Sequence, residues 1–406
     1  MTIVNSHSGG PVLVVLSGIH GSEYVPIRAT QKLGTQLKPD DLRKGTLVLV
    51  HIANLPQYLG RTVYTGPDDH KNLNRVFPGN PRGTASERLA DFLVTHIYSK
   101  ADFMMDIHSG DANEQLGPSY TAYYGRAGSP TLIETSREMA LAFGLDLVVE
   151  FQWELELPAG TTTNNTSTSN STTSATSSGD DHAYKGAIWA GSAAVVRGIP
   201  SIDVEVAPGM GRNPPENVEE VVRGIRNVMG HLGMTASVAK DQDNQPNDPC
   251  LVTDRSFLES PAEGTWIPAV DTATLVREGD LLGHILDLVG HNILWEARAP
   301  HDGLLLIRLE TPPIIKGDPV AVVAELPASS GCRVLEQKLL RGNSNSNSNN
   351  RKKSLFLWHV SAAAGWMVAL GLGGVLLWNR RRNRRTRGSY EPAESSAAPN
   401  GEGTMA

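Results

Sequence analysis

Residues 11–23 read PVLVVLSGIHGSE, an apolar run that ends in a turn carrying His20 and Glu23. The run is long enough only for a buried strand. Similar apolar runs recur along the chain at residues 47–52, 103–107, 145–151 and 201–206. Amphipathic segments separate these runs over residues 1–240, a pattern typical of an α/β fold in which helices cover a sheet.

The composition is that of a globular protein of enzyme size. The chain has 406 residues, of which 40% are hydrophobic and 19% are charged, enough to bury a large core and to build two domains. The formal net charge is -7, and because basic residues are concentrated after residue 335, the body before it is more acidic still. An acidic body argues against a nucleic-acid partner, since phosphate binding needs a basic face.

Cysteine is scarce, with only Cys250 and Cys332 in the chain. Two cysteines exclude a disulfide framework and a metal cluster built from cysteine. A metal ion would therefore have to bind histidine and carboxylate side chains.

Changes in composition divide the chain into segments. We predict a catalytic domain over residues 1–245, interrupted by a disordered Ser/Thr/Asn-rich insertion at 161–181. Residues 246–335 change to short strands separated by Gly-Asp and Pro turns, which predicts a small β-rich domain. Residues 336–354 have the polar composition of a flexible linker.

Residues 355–378, LFLWHVSAAAGWMVALGLGGVLLW, contain no Asp, Glu, Lys or Arg. About 20 apolar residues are needed to cross a bilayer, so this segment is predicted to be a transmembrane helix in contact with lipid. The tail, residues 379–406, is basic and then polar, as expected of a stop signal. Small residues recur every four positions in the segment and could pair two such helices into a homodimer: Ser361, Gly365, Ala369 and Gly373.

The predicted location follows from this segment. Residues 1–10 lack the basic and apolar regions of a secretion signal. Basic residues flank the segment on both sides, at 351–353 and 380–387, so the positive-inside rule leaves both orientations open. Because the signal is missing, we expect a single-pass membrane protein with a C-terminal anchor and its catalytic domain in the cytosol.

Two motifs, GIHGSE and DFMMDIHSGD, place polar residues at the ends of apolar strands. In open α/β sheets the carboxyl ends of strands form the binding crevice, so His20, Glu23 and His108 can converge there. Two histidines and one glutamate form a zinc site with one position open for water. Asp106 could accept a hydrogen bond from a ligand histidine. The alternative is a polar pair at a strand end with no metal.

A third motif, KNLNRVFPGN, carries Asn74 and Arg75. The guanidinium of Arg75 has the planar shape that binds a carboxylate, and Asn74 adds a donor. Arg61, in GRTVYTG, could hold the developing negative charge on a substrate carbonyl. Either arginine could instead be an ordinary surface residue.

A fourth motif, PSIDVEVAPG, places Asp203 and Glu205 on one face of a buried strand. Glu205 is nearer the strand end, where a carboxylate could take a proton from water and return it to a leaving amine. We therefore predict Glu205 as the general base and a structural role for Asp203.

Together, HGSE, NLNRVFPG, DIHSG and DVEVAPG, in this order, resemble the motifs of the succinylglutamate desuccinylase and aspartoacylase family, which is related to zinc carboxypeptidases. The resemblance covers residues 10–328 apart from the insertion, and it is strongest to the branch containing the deacetylase of ectoine breakdown. It implies an α/β fold with a mixed central sheet flanked by helices, followed by a small β-rich domain. To these the chain adds one predicted C-terminal transmembrane helix.

The same resemblance implies roles for the residues in the motifs. It implies one zinc ion on His20, Glu23 and His108, Arg61 beside the substrate carbonyl, Asn74 and Arg75 on the substrate carboxylate, and Glu205 as the base. The expected function is a zinc-dependent deacylase that cleaves the amide bond of a small N-acyl amino acid or related substrate. Two alternatives stay open: a metallocarboxypeptidase acting on peptides, and a catalytically inactive, membrane-tethered binding module.

Overall fold

An eight-stranded sheet is the centre of the computed structural model, which describes residues 1–153, 188–236 and 248–341. In spatial order its strands are β1 (Thr2–Asn5), β3 (Thr46–Val50), β2 (Val12–Ser17), β4 (Phe103–Ser109), β8 (Ser201–Val206), β6 (Tyr120–Tyr124), β7 (Leu147–Phe151) and β9 (Cys250–Val252). Strands β3, β2, β4 and β8 are parallel, whereas β6 is antiparallel to β8, and β7 and β9 follow the direction of β6. The predicted mixed sheet is confirmed.

Helices cover both faces of this sheet. The α-helices are α1 (Tyr24–Gln36), α2 (Leu55–Gly60), α3 (Ala85–Phe92), α4 (Pro130–Phe143), α5 (Ala190–Val195), α6 (Pro215–His231) and α7, over residues 330–341. Shorter helical turns span Pro39–Asp41, Leu73–Arg75, Leu93–Ile97 and Tyr98–Lys100. Thr84 and Glu87 form the capping box that begins α3, and Ser129 caps α4 through its side chain.

The two faces of the sheet carry different side chains. Ile107 of β4 and Val204 of β8 are fully buried in the apolar core that α1, α4 and α6 form with the sheet. Successive side chains of a strand point to opposite faces. His108 and Glu205 therefore lie on the other face, where the turn Leu73–Arg75 and helix α5 also pack.

Two smaller sheets make up the predicted β-rich region. One has the order β10 (Arg255–Glu259), β17 (Pro319–Ala324), β15 (Gly303–Leu309) and β12 (Thr274–Val276), and β5 (Glu114–Leu116) also pairs with β15. The other has the order β14 (Ile293–Arg298), β13 (Leu281–Leu286), β11 (Gly264–Pro268) and β16 (Pro313–Ile314). The β-rich C-terminal region is confirmed.

Strand exchange joins the β-rich region to the large sheet. Strand β9, at the start of the β-rich part of the chain, pairs in parallel with β7 of the large sheet. Strand β5, from the first part of the chain, pairs with β15 of the β-rich region. Residues from Met1 to Arg341 accordingly form one compact unit. The boundary at residue 245 stays a prediction, and the insertion at 161–181 lies outside the described residues.

A disulfide bond, which the sequence analysis did not predict, joins Cys250 of β9 to Cys332 of α7. The two cysteines are 82 residues apart in the chain, and both are buried. Lys338 of α7 also donates to Asp146, just before β7, at 2.7 Å. Helix α7 is thus attached covalently to the edge of the large sheet, and it extends to residue 341, into the predicted linker.

Removing this cross-link is expected to destabilise the chain. In the loop-entropy model, a bridge that closes a loop of this length stabilises the folded state by roughly 4.5 kcal/mol. We expect the Cys250→Ala/Cys332→Ala variant to unfold at a correspondingly lower guanidinium concentration. Wild type measured in reductant should reproduce the shift, whereas Lys338→Ala should move it far less. An unchanged midpoint in reductant would show that the bridge does not stabilise the fold.

The predicted membrane location is contradicted. Within residues 1–153, 188–236 and 248–341, no helix combines the length and apolar character that a bilayer crossing requires. The longest of them, α6, has 17 residues and carries Glu216, Glu219 and Arg223, whereas a span needs about 20 apolar residues. Residues 355–378, with their predicted lipid contact and homodimer pairing, lie outside the described residues, and the membrane location is not retained.

Candidate functional site

The carboxylate of Glu23 joins two histidines at the end of the parallel strands. Its Oε1 lies 2.7 Å from Nδ1 of His20, and its Oε2 lies 2.9 Å from Nδ1 of His108. The backbone N–H of Ser109 donates to the same Oε2 at 3.2 Å. All three predicted ligands are buried, and their ligand atoms lie within 4.8 Å of one another. The structure therefore brings together the residues of the first two motifs.

Local backbone geometry explains this convergence. Strands β2 and β4 are parallel neighbours, and His20 lies in the turn after β2 while His108 lies near the end of β4. Glu23 is the N-cap residue of α1. Gly21 is required between them, because a Cβ at that position would lie 2.2 Å from the backbone nitrogen of Tyr58. The turn can pack against α2 only without a side chain there.

The second nitrogen of each imidazole has its own partner. Nε2 of His20 lies 3.1 Å from Oδ1 of Asn72, and Nε2 of His108 lies 3.0 Å from Oδ2 of Asp106. When each Nε2–H donates to its oxygen, each Nδ1 is left with a lone pair directed at the Glu23 carboxylate. This is the tautomer that metal binding through Nδ1 requires, and such contacts orient ligand histidines.

The charges of the cluster suit a cation. Burial opposes ionisation of Glu23, but His108 and His20 outweigh it and lower the pKa of Glu23 to about 2. Burial also opposes a charge on His108, but Asp106 and Glu23 raise the pKa of His108 well above its usual range. The ionised Glu23 carboxylate thus favours positive charge beside it, and a divalent cation would supply that charge in place of the imidazole protons. Two histidines and one carboxylate form a donor set that zinc accepts.

Glu205 lies beside this cluster in the sheet. Its Cα is paired with that of His108 on β4 and with that of Tyr120 on β6. Its side chain is half-buried, and burial raises the pKa of the carboxyl group well above its usual range. A raised pKa makes the ionised carboxylate a stronger base, as a general base requires.

Asp203 occupies a different environment on the same strand. Tyr124 donates to its Oδ2 at 2.7 Å. Burial and the neighbouring Asp106 raise the pKa of Asp203 to about 7. Asp106 and Asp203 are register partners on β4 and β8, and Asp106 in turn contacts His108. Asp203 therefore lies beside Asp106, the residue that contacts Nε2 of His108.

Asn74 and Arg75 lie at the rim of the cluster. Oδ1 of Asn74 accepts from the backbone N–H of Ala190 at 2.8 Å, and its Nδ2 lies 3.4 Å from Nε2 of His108. The guanidinium of Arg75 lies 5.8 Å from the ring centroid of Trp189. Among the described residues, no carboxylate forms an ion pair with Arg75. Its charge is thus available for a ligand.

Arg61 is further out than the other predicted residues. It is exposed and ends α2 in the left-handed conformation, with φ of 54°. The next residue, Thr62, accepts a hydrogen bond from the Ser22 hydroxyl at 3.3 Å. Arg61 is therefore adjacent in sequence to a residue that contacts the turn carrying Glu23. Within the described parts of the chain, no hydrogen bond or ion pair connects the Arg61 side chain to the cluster.

Several residues of the site were not predicted. Asp111 is fully buried and accepts a hydrogen bond from the Ser22 hydroxyl. It also accepts one from the backbone N–H of Tyr64, at 2.9 Å. Asp111 and Asn72 stand inside the quoted motifs, so their proximity to the ligands was a usable signal. Trp189 and Arg255 lie in other parts of the chain, where no motif marked them.

The chain is similar in sequence to known proteins. Residues 9–177 match the family model described as the succinylglutamate desuccinylase/aspartoacylase catalytic domain. The N-alpha-acetyl-L-2,4-diaminobutyric acid deacetylase of Halomonas elongata is 27% identical over 333 residues, which cover 79% of this chain and 84% of the relative.

Two solved structures have the same fold. The succinylglutamate desuccinylase/aspartoacylase of Rhodobacter sphaeroides superposes with a TM-score of 0.64 at 25% identity, covering 80% of this chain and 88% of that one. The product-bound ectoine utilization protein EutE of Ruegeria pomeroyi superposes with a TM-score of 0.64 at 25% identity, covering 79% and 87%.

Proposed function

Because the chain belongs to the succinylglutamate desuccinylase/aspartoacylase family, we propose that it is a zinc-dependent hydrolase that cleaves the amide bond of a small N-acyl amino acid or related substrate. The observation that carries the proposal is the cluster of His20, Glu23 and His108 with Glu205 paired beside His108. The substrate is a small molecule carrying a carboxylate.

The zinc ion would be held by Nδ1 of His20, Nδ1 of His108 and the Glu23 carboxylate, where it would acidify a water molecule and polarise the substrate carbonyl. Asn72 and Asp106 keep the two imidazoles in the tautomer that presents Nδ1. The ligand set is buried, which restricts competing water.

Protein side chains perform the proton transfers and bind the substrate. A carboxylate oxygen of Glu205 accepts the proton of the attacking water and returns it to the amide nitrogen, so that the amine leaves as the C–N bond breaks. Arg75 binds the substrate carboxylate through its planar fork, with Asn74 beside it. Arg61 stabilises the negative charge that develops on the carbonyl oxygen.

Zinc analysis and a hydrolysis assay on the full chain test this proposal. We expect one zinc ion per chain and release of free amino acid from N-acetyl or N-succinyl amino acids. A chelator should abolish the release and added zinc should restore it. Faster cleavage of dipeptides would support the metallocarboxypeptidase instead. A chain that neither binds zinc nor cleaves any amide would be the inactive binding module.

A further inference from the structure

One of the two small sheets of the β-rich region ends in an open edge strand. Strand β14, over Ile293–Arg298, is the last strand of its sheet and pairs with β13 on one side. Within the described parts of the chain, no strand pairs with its other side. Backbone N–H and C=O groups on such an edge can pair with a further strand, and proteins often prevent this with lysine or proline. Strand β14 contains neither residue.

Aliphatic side chains are exposed on this strand and on the turn before it. Ile293 and Leu294, the first two residues of β14, are 57% and 49% exposed. Leu288 and Val289, in the turn between β13 and β14, are exposed further still. Single exposed aliphatic residues are ordinary on a protein surface, whereas a group of them marks a surface that contacts another molecule. The open edge is therefore also apolar.

The charges of β14 identify a second copy of the chain as the partner that fits this edge. Glu296 and Arg298 are both exposed, two positions apart, and lie 2.6 Å from each other. When two β14 strands pair antiparallel about a two-fold axis at Ala297, Glu296 of each copy lies opposite Arg298 of the other. Opposite charges that face each other across antiparallel strands stabilise the pair. In the same register, Leu294 faces the exposed Pro300 of the other copy.

We propose that two copies of the chain associate through β14, so that their four-stranded sheets join into one continuous sheet. The contact is isologous, because the same strand contributes from both copies. Backbone hydrogen bonds between the two strands supply affinity, as in other cases of strand addition. The two Glu296–Arg298 pairs fix the register, and burial of Ile293 and Leu294 adds apolar stabilisation. This association does not depend on the proposed hydrolase activity.

Charge reversal tests the contact, and sedimentation velocity of the full chain over a range of concentrations measures the dissociation constant of the dimer. Glu296→Lys and Arg298→Glu each place like charges opposite each other. Each is expected to raise the dissociation constant by about 10-fold. An equal mixture of the two variants should form heterodimers with nearly wild-type affinity, because every facing pair then has opposite charges again.

The mixture distinguishes a contact between copies from a contact within one copy. Glu296 and Arg298 also pair within each chain, but mixing two variants cannot restore a contact inside either of them. Recovery of the dimer in the mixture therefore supports the inference. The inference is overturned if the mixture associates no better than the single variants, or if the wild-type chain sediments as a monomer at every concentration.

A charge on the apolar part of the edge provides a second test. Leu294→Asp should raise the dissociation constant by at least about 10-fold, because a buried Leu contact is lost from both copies and a charged edge strand resists pairing. Ile3→Asp is the matched control, since Ile3 is 57% exposed on β1, the edge strand of the large sheet. It should leave the constant unchanged, and thermal unfolding shows that each variant is folded. A dimer that Leu294→Asp does not weaken is formed elsewhere, which overturns the inference.

Discussion

Glu205→Gln is expected to keep its zinc and to lose amide hydrolysis by about 10²- to 10⁴-fold in kcat, the usual contribution of a general base. The amide has nearly the shape of the carboxyl group but cannot accept and return a proton. Zinc content should stay at the wild-type value, because Glu205 is not one of the proposed ligands. Steady-state kinetics together with metal analysis on the same preparation measures both quantities.

A second carboxylate on the large sheet provides the control. Glu150 of β7 accepts from Tyr123 and Gln152 and makes no contact with the metal cluster. Glu150→Gln should therefore retain activity. If Glu205→Gln turned over at the wild-type rate, Glu205 would be removed from the mechanism and another group would have to move the proton.

Glu23→Gln is expected to abolish zinc binding and therefore activity. The Glu23 carboxylate faces Nδ1 of both His20 and His108 and accepts from the backbone of Ser109. An amide has one oxygen and no charge, so it can neither satisfy both imidazoles nor balance a divalent cation. Zinc affinity should fall by more than about 100-fold, because loss of a residue that only contacts a metal ligand usually costs about 10- to 100-fold.

Asp106→Asn is the matched comparison for Glu23→Gln. Asp106 contacts Nε2 of His108 and would not touch the metal itself. Its loss should weaken zinc binding by about 10- to 100-fold. Competition with a chelator of known affinity measures both variants. Equal affinities for Glu23→Gln and wild type would show that the metal, if one binds, is held elsewhere.

Much of the candidate site could be predicted because each part lies in a short motif at a strand end. His20 and Glu23 follow β2, His108 lies near the end of β4, and Glu205 near the end of β8. Parallel neighbours bring such positions to one edge and one face. Neighbouring residues of the same motifs, Asn72 and Asp111, could have been found by the same argument.

Other features could not be predicted because they depend on strand order. Strand β6 was missed, yet it pairs with β8 and places Tyr120 beside Glu205. The disulfide depends on β9 returning to the large sheet next to β7. The predicted membrane location rested on the apolar composition of residues 355–378, the basic tail after them and the missing secretion signal, and it is contradicted.

By itself, the sequence determined the fold class, the family and the four motifs of the site. Strand length, alternation and turn residues are local properties, and each is encoded by neighbouring positions in the chain. Only the tertiary structure decided that Glu23 lies between two imidazoles, that α7 is cross-linked to β9, and that Arg255 of the β-rich region packs against Phe151 of the large sheet. These contacts join distant segments, and their geometry depends on how the sheets pack and exchange strands.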